Sequence, residues 1–253
     1  MGEFYSLQNN YNILQRRTKG NERARQMMVT AQKVAAFLSK FPFTRGVAVS
    51  GSLSKNFADE SSDIDFFIIT AKNRLWIART FMYILVRLAM IFNKENFFCI
   101  NYFIDEEQLE IEEKNIYTAT EIVTLIPLYG SEIFNSFFLA NNWTQKFLPN
   151  NYLRISIAKN AAFSTCKWLI EKVFSNKYGN NLDTFLMKIT SKRWERDTQL
   201  KKINKNGLLF SMKTGKHYAK HDPVIFQSRV LGLHANKLFA VLNQETVRQI
   251  LTS

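Results

Sequence analysis

The sequence predicts an α/β sheet domain followed by a mainly helical, basic domain. Three observations carry that prediction. Short β-rich runs alternate with longer apolar-periodic runs over the first 150 residues, the pattern of a sheet flanked by helices. Beyond Pro149 the periodicity is helical. The charge divides at the same place. Residues 1–150 hold 16 Lys/Arg against 15 Asp/Glu, and residues 151–253 hold 18 against 6, a net +12. The expected domains are therefore 1–150, with an N-terminal helix, and 151–253.

A chain of 253 residues with 46% hydrophobic content builds a real core, which excludes wholesale disorder. Phe is used 22 times, while Gly and Pro occur only 9 and 4 times. That composition favours compact helices over long irregular loops. The two cysteines, Cys99 and Cys166, lie in apolar runs and read as small buried hydrophobes. With no disulfide framework, a reducing cytoplasm is the expected location. The polar start does not lead into a signal-peptide core.

The elements follow in order. Residues 22–39 carry apolar positions at helical spacing (Met27, Met28, Ala31, Val34, Ala35, Leu38), and Pro42 ends that helix. Residues 45–50 form a short strand, and 53–57 a short helical turn. Residues 59–62 make a polar loop. Ile64–Thr70, rich in β-branched and aromatic residues, is a second strand. Leu75–Phe92 is apolar and long enough to consider as a membrane span. Arg79 and Arg87 oppose that reading, at roughly 2.5–3.5 kcal/mol each near a span centre. A helix buried on the sheet, with both arginines reaching outward, is expected instead, and no transmembrane segment. Residues 96–104 form a third strand, followed by an acidic loop at 105–113. Residues 117–125 and 132–147 are helical, with Pro127 and Gly130 between them. Helices are then expected at 153–174, 182–203 and 223–242.

Function is concentrated in residues 47–70, VAVSGSLSKNFADESSDIDFFIIT. Asp63 and Asp65 are two apart on a strand, so both side chains share one face, as two carboxylates holding a metal require. Ile64 points the other way. Gly51 lets backbone approach a phosphate closely. Ser52 offers a hydroxyl and an amide at a helix start, where an anion is favoured. Lys55 adds a point charge for the same phosphates. Carboxylate-held divalent ions polarise a phosphate and activate a nucleophile. The residues thus point to phosphoryl-transfer chemistry.

This arrangement resembles the nucleotidyltransferase superfamily of the polymerase-β type, in which a Gly-Ser turn ends one strand and an Asp-x-Asp pair follows on the next. Lys55, three positions after Ser52, and the Ser62-Asp63 step match small members of that family. The resemblance covers about residues 25–105. It implies a mixed sheet with flanking helices and a nucleotidyltransferase-like catalytic domain. It also implies Mg²⁺ or Mn²⁺ held by Asp63 and Asp65, and an NTP bound at Gly51, Ser52 and Lys55. The NMP group would pass to an acceptor the sequence does not identify. The family's third carboxylate has no counterpart in the strand at 97–104, whose central polar residue is Asn101. An amide ligates through oxygen but takes no proton at neutral pH. Asn101 is a site residue by position, Asp105 is the nearest alternative acid, and a nucleotide- or nucleic-acid-binding protein without turnover is the alternative function.

Other candidates are weaker. His217 and His221 have the spacing of two ligands on a helix, with no third nearby. Trp168 and Trp194 stand among basic residues, a pattern of base stacking or of ordinary helix packing. The +12 C-terminal part suits an acidic partner such as nucleotide phosphates, nucleic acid or an anionic membrane surface.

Overall fold

The computed structural model describes residues 11–92, 98–151, 155–160, 164–203, 212–221 and 224–252. Helix α1 (Tyr11–Leu38) leads into β1 (Thr44–Ser50), the single turn α2 (Gly51–Ser54), β2 (Ile64–Thr70), α3 (Leu75–Phe92) and β3 (Phe98–Asp105). Then come α4 (Ile116–Thr124), β4 (Ile126–Tyr129), α5 (Ser131–Ala140), α6 (Thr165–Phe174) and α7 (Lys177–Gln199). The hairpin β5 (Met212–Thr214) and β6 (Tyr218–His221) precedes α8 (Val224–Thr252). The strands form one six-stranded mixed sheet in the order β4-β1-β2-β3-β6-β5. β2 and β3 are parallel, joined through α3, and the other pairs are antiparallel. The expected class, a mixed α/β sheet with flanking helices and a mainly helical C-terminal part, is what the chain forms.

Alternation along β2 sorts its side chains onto two faces. Ile64, Phe66 and Ile68 pack with Val47, Val49, Trp76 and the small residues Ala24, Ala31 and Ala35 of α1. Phe67 and Ile69 pack on the other face with Ala119 and Ile122 of α4 and Phe134, Phe137 and Phe138 of α5. β2 is therefore buried on both sides, which explains its continuous apolar run. Asp63 precedes the strand and Asp65 is in its first turn of pleat, where the α4 face opens.

Several elements differ from the sequence expectation. α1 begins eleven residues earlier than residue 22. Its Arg-rich first half has little apolar content. It is held by Arg16 and Arg17 over the Phe57 ring and by Ala58 N–H donating to Gly20 O at 3.1 Å. Residues 126–129 are a strand paired with β1 at the outer side of the sheet, a place that tolerates Pro127. Residues 155–160 run extended, with Lys159 bridging to Tyr129, and the expected helix at 153–174 shortens to α6. The basic segment 212–221 is a hairpin that adds to the sheet edge beside β3. Helical periodicity could not reveal it, since only pairing across the sheet defines it. Among the described residues no helix is long and apolar enough to cross a membrane. Arg87 does reach outward, over the Tyr83 ring. Arg79 instead lies 4.4 Å from the Trp194 ring centroid, and burial lowers its pKa to about 10.

The C-terminal helices grip the sheet through polar groups. Glu171 of α6 takes Arg45 in a two-oxygen ion pair (2.9 and 3.1 Å) and accepts the Phe43 N–H at 2.6 Å. Lys167 donates to the carbonyls of Ser39 and Thr44. Asp183 of α7 accepts the Ile77 N–H at 2.9 Å, satisfying an amide at the start of α3 that has no partner within its own helix. Burial pushes the Asp183 carboxyl up to about 6. A raised carboxyl favours its protonated form when folded, so its contribution is greatest below about pH 4 and is lost as pH rises through about 6. We predict that wild type loses up to about 3 kcal/mol relative to Asp183→Asn between pH 4 and pH 7. Denaturant unfolding of both proteins at the two pH values measures it, and a constant difference would refute it.

Candidate functional site

The site grows from the turn between β1 and β2. Ser50 and Asp65 are register partners across these antiparallel strands. The chain then reverses at Gly51 with φ +68°, a left-handed conformation that side chains resist. A Cβ there would stand 2.4 Å from Asp65 Oδ2. Glycine is required twice, for the backbone angle and for the carboxylate that fills its side-chain space. The single turn α2 follows, and its leading amides have no intrahelical partners. Leu53 of this turn is buried in the α1 core, which fixes the turn against the sheet.

The polar loop 59–62 delivers Asp63. Asp59 Oδ1 accepts from Ser61 N–H, Ser61 Oγ and Ser62 Oγ at 2.8–3.1 Å. The hydrogen bond from Ser62 is the largest influence and holds the Asp59 carboxyl below its usual range. Asp63 and Asp65 are both half-buried, while Ile64 between them is buried on the opposite face. Two carboxylates on one face suit a divalent cation that completes its shell with water and phosphate oxygens. Among the described residues no group of three or more His, Cys, Asp and Glu side chains could hold a metal.

Lys55 sits beside the turn, but it is engaged. Its Nζ donates to Gly51 O and to Glu121 Oε2, both at 2.9 Å. Arg17 of α1 donates to the Lys55 carbonyl at 2.8 Å. Glu121 and Tyr117, one helical turn apart on α4, were not singled out in sequence, where they are two polar positions on an amphipathic helix. Burial raises the Tyr117 hydroxyl well above its ordinary range, and the charges of Glu121 and Asp65 raise it further. α4 is thus a third wall of the site.

Strand β3 lies beside the two aspartates. The register partner of Asp65 on β3 is Cys99. The Cys99 thiol lies 3.8 Å from Asp63 Oδ2 and donates to it. Cys99 is half-buried beside the carboxylates and Cys166 is exposed on α6, so neither is the buried apolar filler expected. β3 bulges between Ile100 and Tyr102, which pair with the consecutive residues Phe66 and Phe67. Asn101 is the extra residue of that bulge, and its side chain lies outside the described residues. The bulge shifts the alternation, so Tyr102 follows Cys99 on its face and packs on Phe67.

Asp105 is not at the site. It pairs with Thr70, five positions beyond Asp65, or about 16 Å along the strand. It is fully buried, accepts from the Asn73 and Glu107 amides, and faces His217 Nδ1 at 3.0 and 3.1 Å. His217 is in the hairpin turn and His221 in β6, so they do not form the helical ligand pair that their spacing allowed. Trp194 is core, packed on Trp76, whereas Trp168 is half-exposed under Lys172.

Residues 32–153 match the family model of the nucleotidyltransferase domain, a span that holds β1, the Gly51 turn, both aspartates and α4. No curated protein and no solved structure matches the chain.

The geometry at Gly51 makes a direct prediction. Gly51→Ala forces a left-handed alanine against Asp65 and costs about 1–2 kcal/mol for the backbone alone. A lowered melting temperature in thermal unfolding is the expected outcome. A wild-type melting temperature in Gly51→Ala would show that the turn does not need the left-handed glycine.

Proposed function

Because residues 32–153 belong to the nucleotidyltransferase domain family, we propose that this protein transfers an NMP group from an NTP to an acceptor nucleophile, with a divalent cation held by Asp63 and Asp65. The observation that carries the reading is the packing of the Asp65 carboxylate into the space a side chain would take at Gly51. It joins the phosphate turn and the carboxylate pair in one rigid unit. Mg²⁺ or Mn²⁺, when bound there, neutralises phosphate charge and polarises the α-phosphorus.

The protein's own groups do the rest. Gly51 and Ser52 present the turn to the triphosphate, and the Ser52 hydroxyl adds a donor. Lys55 contributes a cation on a flexible stem beside the same turn. The α1 contacts through Arg17, Phe57 and Gly20 keep the turn from moving away. The basic C-terminal helices supply the acceptor side, where α7 exposes Lys188, Lys192, Arg193 and Arg196. In this reading the division at residue 150 is functional: residues 1–150 carry the chemistry and 151–253 choose the acceptor.

A second reading is favoured by Cys99 standing where a carboxylate would face Asp65. It is a nucleotide- or nucleic-acid-binding protein without turnover. One experiment separates the two. Each NTP is titrated with Mg²⁺ or Mn²⁺ by calorimetry, and pyrophosphate release is then followed over a panel of hydroxyl acceptors. Under the transfer reading, Asp63→Asn and Asp65→Asn lower turnover by at least about 10³-fold, a loss of roughly 4 kcal/mol of transition-state stabilisation, without lowering the melting temperature. Full turnover in either variant would remove these residues from the mechanism. Binding of NTP, or salt-dependent binding of RNA, with no pyrophosphate release would favour the second reading.

A further inference from the structure

Helix α4 brings to the site a carboxylate that the strand pattern did not announce. Asn115 caps the helix by accepting the Thr118 N–H at 2.9 Å. Ala119 and Ile122 then seat it on the Phe67 core. With that face fixed, Tyr117 and Glu121, four apart, share the neighbouring face. Glu121 meets Lys55 at 2.9 Å across the site, and the same ammonium holds the Gly51 carbonyl. Both side chains are about 30% exposed (30% and 29%), so solvent and substrate can reach the pair. The Tyr117 hydroxyl, raised chiefly by burial, is raised further by the charges of Glu121 and Asp65.

Other described carboxylates near the sheet are committed elsewhere. Asp105 is buried against His217 and two amides. Glu113 is bound to Lys220. Glu60 is 93% exposed beside Arg23. Glu121 alone among these four faces the phosphate turn.

We propose that Glu121 accepts the proton of the attacking hydroxyl, and that Lys55 holds it idle until a bound triphosphate draws the lysine away. The proposal rests on the nucleotidyl-transfer reading above. Lysine is a compact charge on a flexible stem, so it trades a carboxylate for a phosphate without moving either helix. The trade leaves a carboxylate without its cation at the moment a base is needed. The step balances without redox change. The acceptor oxygen bonds to the α-phosphorus, and the bond from that phosphorus to the bridging oxygen breaks. Pyrophosphate leaves with the bonding pair, and the acceptor proton passes to Glu121.

The exchange of partners is tested first, on the full chain, with α,β-methylene-ATP and Mn²⁺ in calorimetry. Lys55→Ala is expected to weaken binding roughly tenfold, equivalent to 1.4 kcal/mol. Glu121→Ala is expected to tighten it several-fold, and to do less in the Lys55→Ala background. Weakening by Glu121→Ala to the level of Lys55→Ala would mean that Glu121 only positions the lysine, and would overturn the exchange. Turnover is tested next, as pyrophosphate release from ATP, GTP, CTP and UTP with water and with the panel of hydroxyl acceptors above. Glu121→Gln keeps the side-chain shape and is expected to lower kcat by about 10²–10⁴ without raising KM. It should also flatten the acidic limb of the pH profile, which Glu121→Asp retains at reduced rate. A wild-type rate and profile in Glu121→Gln would overturn the base assignment and leave the transfer reading standing. Nucleotide binding by wild type with no pyrophosphate release would overturn both.

Discussion

Strand β2 is held on two edges and two faces at once. β1 fixes it by antiparallel pairing from Thr44↔Thr70 to Ser50↔Asp65, and β3 by parallel pairing from Ile64↔Phe98 onward. Its even-numbered residues are buried under α1 and α3, and its odd-numbered residues under α4 and α5. A slip of one residue would move every apolar side chain to the wrong face. That register keeps Asp63 and Asp65 together at the open end of the α4 face and Asp105 at the far end of the neighbouring strand.

The turn at Gly51 converts this register into a site. Its left-handed backbone points the chain back over the strand end, and the absent side chain leaves room for Asp65 Oδ2. Around it the charges are arranged in opposition. Lys55 is shared between the Gly51 carbonyl and Glu121. An ion pair with both partners about 30% exposed is worth little to stability. Its place beside the Gly51 turn is the feature the proposed exchange of partners uses.

The C-terminal part is attached by polar contacts that satisfy backbone groups the sheet itself leaves open. Glu171 and Lys167 serve the corner between α1 and β1, where Phe43 has φ +63°. Asp183 serves the start of α3, and Arg74 reaches the Phe174 and Asn176 carbonyls. The β5–β6 hairpin covers the β3 edge and is pinned there by Asp105 donating its N–H to the His217 carbonyl. These contacts hold α6 and α7 beside the sheet, with the basic side chains of α7 outward.

Local pattern determined a good deal. β-branched and aromatic runs marked β1 and β2, and the bounds of β2 and α3 were legible because hydrophobic periodicity was uninterrupted in both. The Gly-Ser turn and the Asp-x-Asp spacing located the candidate site, since strand alternation is a local property. What joined that site from elsewhere was decided by tertiary structure. Glu121 reached Lys55 through helix packing, and Cys99 took the place beside Asp65 through β3 register. The bulge between Ile100 and Tyr102 shifted the β3 register, which local alternation could not reveal. The hairpin at 212–221 exists because β3 had an edge to cover. Short-range periodicity is written in consecutive residues, whereas pairing across a sheet and the meeting of helix faces depend on contacts between residues far apart in the chain.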